Sequence, residues 1–150
     1  MRHEWTFVVV DGFGSGELDF EARLAAADQA VRDEVDDLIM SPLVNGVDGS
    51  VLLVQGHADR VDTGEDHQTC LRLERDASRA RASSAAATVL MMIGRDWIDP
   101  PPTSWSELPQ IGVSESAHGA TTMVDESGSE TGRLQNRRVI LAVCRFFPDE

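Results

Sequence analysis

Two short apolar runs, Trp5 to Val10 and Ser50 to Gln55, each meet a glycine within two residues, and each is followed by a longer segment whose apolar residues recur at helical spacing. A strand-length run feeding a helix-period segment, twice over, is the pattern of an α/β chain. The first run is β-branched and aromatic and reads as a buried strand leaving its sheet at Asp11-Gly12-Phe13-Gly14-Ser15-Gly16, a turn-rich loop placed to carry function. From about Asp19, Leu24, Val31, Val35 and Leu38 form one stripe with Glu21, Arg32 and Asp36 elsewhere, which predicts a single helix ending before Pro42. After a loop around Asn45-Gly46, the second run passes straight into Gly56-His57-Ala58-Asp59 and a polar loop from Arg60 to about Cys70. Leu73 to Ile93 reads as the second long helix, with Ala82, Ala86, Val89 and Ile93 on one face and Gly94 suited to the C-cap.

The prolines at 100–102 lack the amide donor that a helix or central strand needs, so about 96–109 is expected to be an irregular connection. A short strand, Gln110 to Val113, follows. Next comes a Gly/Ser/Glu-rich loop over 114–132, read as mobile, and Arg133 to Arg138 lead into a final strand, Val139 to Phe146. No internal repeat interrupts this order. At 150 residues and 41% apolar content the chain suits one compact domain over 1–150 that holds its core without metal or disulfide staples. Cys70 and Cys144 are expected to be unpaired, partly buried thiols.

There are 26 acidic side chains against 13 basic ones, all arginine, for a formal net charge of −13. That field repels phosphate backbones and anionic lipid surfaces, which argues against nucleic acid and membrane partners. The N-terminal apolar run is too short for a signal-peptide core and lacks a cleavage site, and no stretch approaches a membrane span. As it stands the sequence reads as cytoplasmic.

In open α/β sheets ligands bind at the rim where strands end and helices begin. Asp59 falls just past the second strand and Arg81 in the early turns of the second helix. A carboxylate and a guanidinium held on one rim suit a zwitterion, the acid accepting from an ammonium and the arginine forking onto a carboxylate. From spacing alone the two could equally pair with each other or face solvent. His57, Asp59, Asp62, Asp66 and His67 match no standard metal-ligand spacing, and an acidic loop with two histidines is more often simply solvated, so no metal or other cofactor is expected. Gly14-Ser15-Gly16 lacks the pattern of a nucleophile elbow, and neither cysteine has a histidine beside it. Catalysis is not expected.

Three segments then acquire meaning as a set: Gly56-His57-Ala58-Asp59, Ala77-Ser78-Arg79-Ala80-Arg81-Ala82 and Arg133-Leu134-Gln135-Asn136-Arg137-Arg138-Val139. In this order they resemble the signatures of the OmpA-like, peptidoglycan-binding domain family, and Phe13, Ser15 and Leu18 resemble the loop after that family's first strand. Each is weak alone, but three in order, with matching elements between them, span nearly the whole chain. The resemblance implies a two-layer α/β sandwich of βαβαβ type, a mixed sheet with helices on one face. It also implies non-covalent binding of the diaminopimelate residue of the peptidoglycan stem peptide, Asp59 taking the ammonium end and Arg81 the carboxylate. Gly12, Phe13, Gly14 and Arg60 are implied as secondary contacts. Asn136, Arg137 and Arg138 are expected to tie the last strand to neighbouring carboxylates or helix ends first and to touch ligand second.

Some positions depart from the pattern. Glu74 stands where the family usually carries Asn, Ala77 where it carries Leu, and the loop after Asp59 is longer, with acids at Asp62, Glu65 and Asp66. A Glu at 74 adds negative charge beside the carboxylate end of the ligand. The resemblance points to the cell envelope and is compatible with a homodimer. The rival function is an adaptor subunit of a larger envelope or phage-tail-like assembly that reuses the fold without its ligand.

Overall fold

A computed structural model describes residues 2–45 and 49–148; Gly46 of the expected turn lies outside the described residues. The elements are β1 (Arg2–Val10), α1 (Phe20–Ala25), α2 (Gln29–Leu38), β2 (Ser50–Gly56), α3 (His67–Asp96), β3 (Ile111–Ala117), α4 (Glu130–Asn136) and β4 (Val139–Phe147). The four strands form one mixed sheet in the order β1-β4-β2-β3, with β4 antiparallel to both neighbours and β2 parallel to β3. A parallel pair needs a crossover, and α3 supplies it, packing across β2 and β3 while α2 packs on β1 and α1 on α3. Inward-facing Val10, Leu52, Val54 and Leu141 meet Phe20, Val35, Val89 and Ile93 of the helices in the core. Burying each such side chain contributes about 1.5–3 kcal/mol. The helices α1 to α3 thus cover one face of the sheet, giving the two-layer α/β sandwich expected. Among the described residues no helix is long and apolar enough to cross a membrane.

The single helix expected from Asp19 is two. Asp19 caps α1 by accepting from the Ala22 amide at 3.2 Å, the chain turns at Ala26 and Ala27, and α2 starts after Asp28. Arg32 holds this corner by donating to the carbonyls of Ala25 and Ala27. Leu24, Val35 and Leu38 are buried from both helices, so the apolar stripe carries across the break and hides it from periodicity.

Helix α3 begins at His67, not Leu73, because Asp66 accepts from the Thr69 amide at 3.0 Å and its hydroxyl at 2.7 Å. Cys70 therefore lies in a helix, not a loop; it and buried Cys144 are both free thiols. Gly94 is not the C-cap, which falls at Trp97. It lies inside α3, where a Cβ would come 2.7 Å from Pro101 Cβ. The stretch read as a loop over 114–132 contains the end of β3 and the start of α4, leaving 118–129 between them. The expected burial of the first strand is also corrected: β1 lies at a sheet edge, with Trp5 43%, Phe7 61% and Val9 45% exposed.

At Gly56 the sheet and α3 approach so closely that a Cβ would sit 1.8 Å from the Ser78 carbonyl oxygen. No side chain fits there without moving strand or helix backbone. One residue on, His57 keeps the ladder going by donating its amide to the Arg138 carbonyl at 2.9 Å. Its ring is 3% exposed and stacks on His118 at a centroid distance of 4.7 Å, and neither ring nitrogen has a partner among the described residues. Burial, then the neighbouring charges of Arg138 and His118, lower its pKa to about 4.

Two outcomes follow. Gly56→Ala should destabilise the chain by about 3 kcal/mol or more, read as a fall in urea midpoint. Because His57 holds its proton less readily folded (about 4) than unfolded (6.5), its neutral form gives full stability above 6.5, and that stability is lost as pH falls towards 4. The loss at the acid end is roughly 3 kcal/mol. Urea midpoints measured across that range should fall with acid in the native chain and fall less in His57→Gln; equal slopes would show that His57 does not carry the effect.

Candidate functional site

Asp59 sits just past the end of β2, where the sheet rim meets the start of α3, and is 8% exposed. Its carboxylate is fixed from one side by Asn136, whose Nδ2 donates to Asp59 Oδ1 at 2.9 Å. The other oxygen, Oδ2, lies 3.8 Å from both Arg133 Nε and Arg137 Nη2. Those two arginines are four residues apart, the spacing that puts side chains on one face of a helix turn. Asn136 also accepts the amides of Val124 and Asp125 at 2.8 and 3.0 Å and donates to the Asp125 carbonyl at 2.7 Å. One buried amide therefore fastens the 118–129 loop to the rim and sets the orientation of Asp59.

Arg81 reaches the same rim from α3 but is only 2% exposed. Its Nε donates to the Glu17 carbonyl at 3.0 Å and its Nη1 to the His57 carbonyl at 3.1 Å. Its guanidinium lies 5.3 Å from the centroid of the Phe13 ring. Burial first, then the charge of Arg137, lower its pKa to about 10, with Glu17 acting in the opposite direction. The side chain remains a cation at neutral pH, braced by backbone oxygens and an aromatic face.

Between these groups runs a cleft of about 200 Å³ whose charged lining includes Asp59, Arg60, Glu74, Arg81, Arg133 and Arg137. A second cavity of about 380 Å³ adjoins it past Asp62, Asp125 and Glu126. The first loop reaches the cleft through Ser15 and Gly16, not through Gly12 to Gly14. Gly12, at a φ of 86°, donates to the Leu134 carbonyl at 2.9 Å and accepts from Arg23 at 3.1 Å, and Gly14 donates to Glu17 at 2.9 Å. Phe13 is fully buried, its ring meeting Arg81 and not solvent.

Glu74, read as an intruding charge, accepts the Val61 amide at 2.9 Å and so holds the loop after Asp59 against α3. Arg138 donates to the carbonyls of Asn136, the last residue of α4, and of Thr122 at 3.3 and 3.0 Å, so of the expected carboxylates or helix ends it ties the last strand to a helix end, and to a loop carbonyl besides. Arg133 and Arg137 are the cations beside Asp59; Arg137 was expected to meet a neighbouring carboxylate, whereas Arg133 was not singled out. Their i, i+4 spacing was visible, but α4 itself was not.

Four arginines and three acids around a narrow cleft can bind a ligand carrying both an ammonium and carboxylates, through charge-assisted hydrogen bonds. Among the described residues no three His, Cys, Asp or Glu side chains converge as metal ligands.

No protein-family model matches the chain, and no curated protein is similar to it in sequence. Solved structures do match it in shape. The OmpA-like domain of FopA1 from Francisella tularensis aligns with a TM-score of 0.53 at 11% identity, covering 99% of this chain and 77% of that one. The periplasmic domain of Helicobacter pylori MotB gives 0.52 at 16% identity over 97% and 77%. The cell wall anchor of the T6SS from Pseudomonas aeruginosa gives 0.51 at 19% identity over 95% and 82%. With its strand order β1-β4-β2-β3 and helices layered on one face, this chain has the OmpA-like fold.

Proposed function

We propose that the chain, acting as one domain over 1–150, is a non-catalytic cell-wall anchor that binds peptidoglycan by its stem peptide, with a diaminopimelate-type residue in the cleft beside Asp59. The observation that carries this reading is the Asp59 carboxylate, oriented by Asn136 at 2.9 Å with arginines at 3.8 Å on its other oxygen. An ammonium of the ligand takes the place beside that carboxylate, and the ligand's carboxylates meet Arg60, Arg133 and Arg137, with the Arg81 charge behind them. The excess of cations over acids in the immediate lining matches a ligand with more carboxylates than ammonium groups. No covalent step is involved. One of the structures similar in fold is described as a cell wall anchor, which agrees with this role. The function places the protein in the cell envelope, with peptidoglycan and neighbouring envelope proteins as its partners.

One observation favours the adaptor reading instead. Arg81 spends two donors on backbone carbonyls and is nearly inaccessible, which is how a purely structural arginine behaves. The two readings separate in a sedimentation assay with purified diaminopimelate-type peptidoglycan. Asp59→Asn keeps an acceptor for Asn136 but removes the charge that holds an ammonium, and Arg137→Gln removes a cation from the cleft. Each should weaken retention by about 10-fold or more, the value of one charge-assisted pair. Lysine-type peptidoglycan, which lacks one carboxylate, should be retained less by the native chain. Failure of the folded native chain to sediment with the diaminopimelate-type polymer would leave the adaptor reading standing.

A further inference from the structure

Glu74 stands on α3 two turns before Arg81, on the same side of the helix, and is only 7% exposed. Its two oxygens are in different situations. Oε1 accepts the Val61 amide at 2.9 Å, whereas Oε2 has no hydrogen-bond partner among the described residues and is not sealed from solvent. Nor does an arginine come within ion-pair distance of it among the described residues, in contrast to Asp59 with Arg133 and Arg137 beside it. The side chain is held in place: Val61 fixes its head, and the loop after β3 closes on its stem at Gly119, where an added Cβ would meet Glu74 Cβ at 3.7 Å. Glu74 lines both the cleft of about 200 Å³ and a larger cavity of about 770 Å³, so the little surface it shows is turned into them.

A carboxylate oxygen only accepts, so whatever completes Oε2 must bring an N–H or O–H. A ligand carboxylate brings neither and meets a like charge at short range. The larger cavity continues that sign, with Glu65, Glu74 and Glu126 against Arg60 alone, beside His67, where the cleft at Asp59 sets four arginines against three acids. A peptide running from the cleft into the larger cavity therefore leaves a cationic wall for an acidic one as it passes Glu74. Its ammonium is already engaged at Asp59 in the binding mode proposed above. The group left to answer Oε2 is the free carboxyl of the glutamyl residue that precedes the diamino acid in a stem peptide. As an acid that group is one more anion; as a primary amide it supplies two N–H donors.

We propose that this chain selects stem peptides whose glutamyl carboxyl is a primary amide, the amide donating to Glu74 Oε2 from the larger cavity. The inference rests on the peptidoglycan reading and adds a preference that Asp59 and the rim arginines do not give. A glutamine at 74 would still accept the Val61 amide through its carbonyl oxygen but would present an NH2 group in place of Oε2. The selectivity thus lies in one atom.

Calorimetric titration with two soluble diaminopimelate-type stem peptides, identical except for that acid or amide, tests it. The native chain should bind the amide form about 10-fold more tightly, the value of one charge-assisted hydrogen bond. Glu74→Gln, checked by circular dichroism, should lose or reverse this preference, while Asp59→Asn should weaken both peptides by a similar factor and leave their ratio unchanged. Equal binding of both peptides by the native chain, or tighter binding of the acid form, would overturn this inference and leave the peptidoglycan reading intact. A preference that survives Glu74→Gln, or a Glu74→Gln chain in which both peptides weaken alike, would remove Glu74 as its source. A folded native chain that binds neither peptide would overturn the stem-peptide reading and this inference with it.

Discussion

The missing Cβ at Gly56 governs the geometry of the rim. With nothing between them, the end of β2 and the backbone of α3 at Ser78 come into direct contact, and a methyl group would stand 1.8 Å from the Ser78 oxygen. The contact brings neighbouring groups into reach. Ser78 Oγ accepts the Gly119 amide at 2.9 Å, while the Gly119 carbonyl accepts the Ala58 amide at 2.8 Å, so helix, strand end and the loop after β3 are joined at one point. Arg81, about one turn further along α3, then comes close enough to brace the His57 carbonyl. A small residue at one position therefore decides whether an acid following a strand and an arginine within a helix share a rim at all.

Asn136 does the comparable work on the other side. An amide side chain can donate twice and accept twice, and this one makes four such bonds across the rim. A buried polar group left with unmet bonds costs on the order of 1–3 kcal/mol, so a fully bonded one holds its neighbours to a single arrangement. The Asp59 carboxylate gains its orientation from this node and its electrostatic setting from Arg133 and Arg137. Positioning and charge thus come from different residues in and just after the same short helix.

The parts of this structure that were legible in sequence are those that local periodicity encodes. The α/β class, the course of β2 and the buried face of α3 follow from apolar spacing over windows long enough to count. Helix α4 was not legible: it is short, it contains Gly132, and it follows a serine- and glycine-rich turn at Ser127-Gly128-Ser129. Its start rests on a single side-chain bond, Ser129 Oγ accepting the Gly132 amide at 3.1 Å. Losing α4 meant losing Arg133 as a partner of Asp59. The break between α1 and α2 stayed hidden because the apolar stripe continues across it. The edge position of β1 was hidden for a different reason. A run such as Trp5 to Val10 says that both faces tolerate apolar side chains, but not whether the cover belongs to the same chain.

Charge is sorted over this molecule in a way that its total conceals. The exposed side of α2 carries Asp33, Glu34 and Asp37, the outer sheet face carries no charge at the twelve positions of its central rows, and Arg60, Arg81, Arg133, Arg137 and Arg138 lie along one rim. At physiological ionic strength a charge is felt over about 8 Å, so an approaching ligand senses the local rim and not the net −13. A carboxylate-bearing polymer is repelled by the acidic outer side of α2 and attracted where the rim arginines cluster. The same distribution that makes the chain a poor general partner for anions therefore gives the proposed anchor one orientation in which to bind.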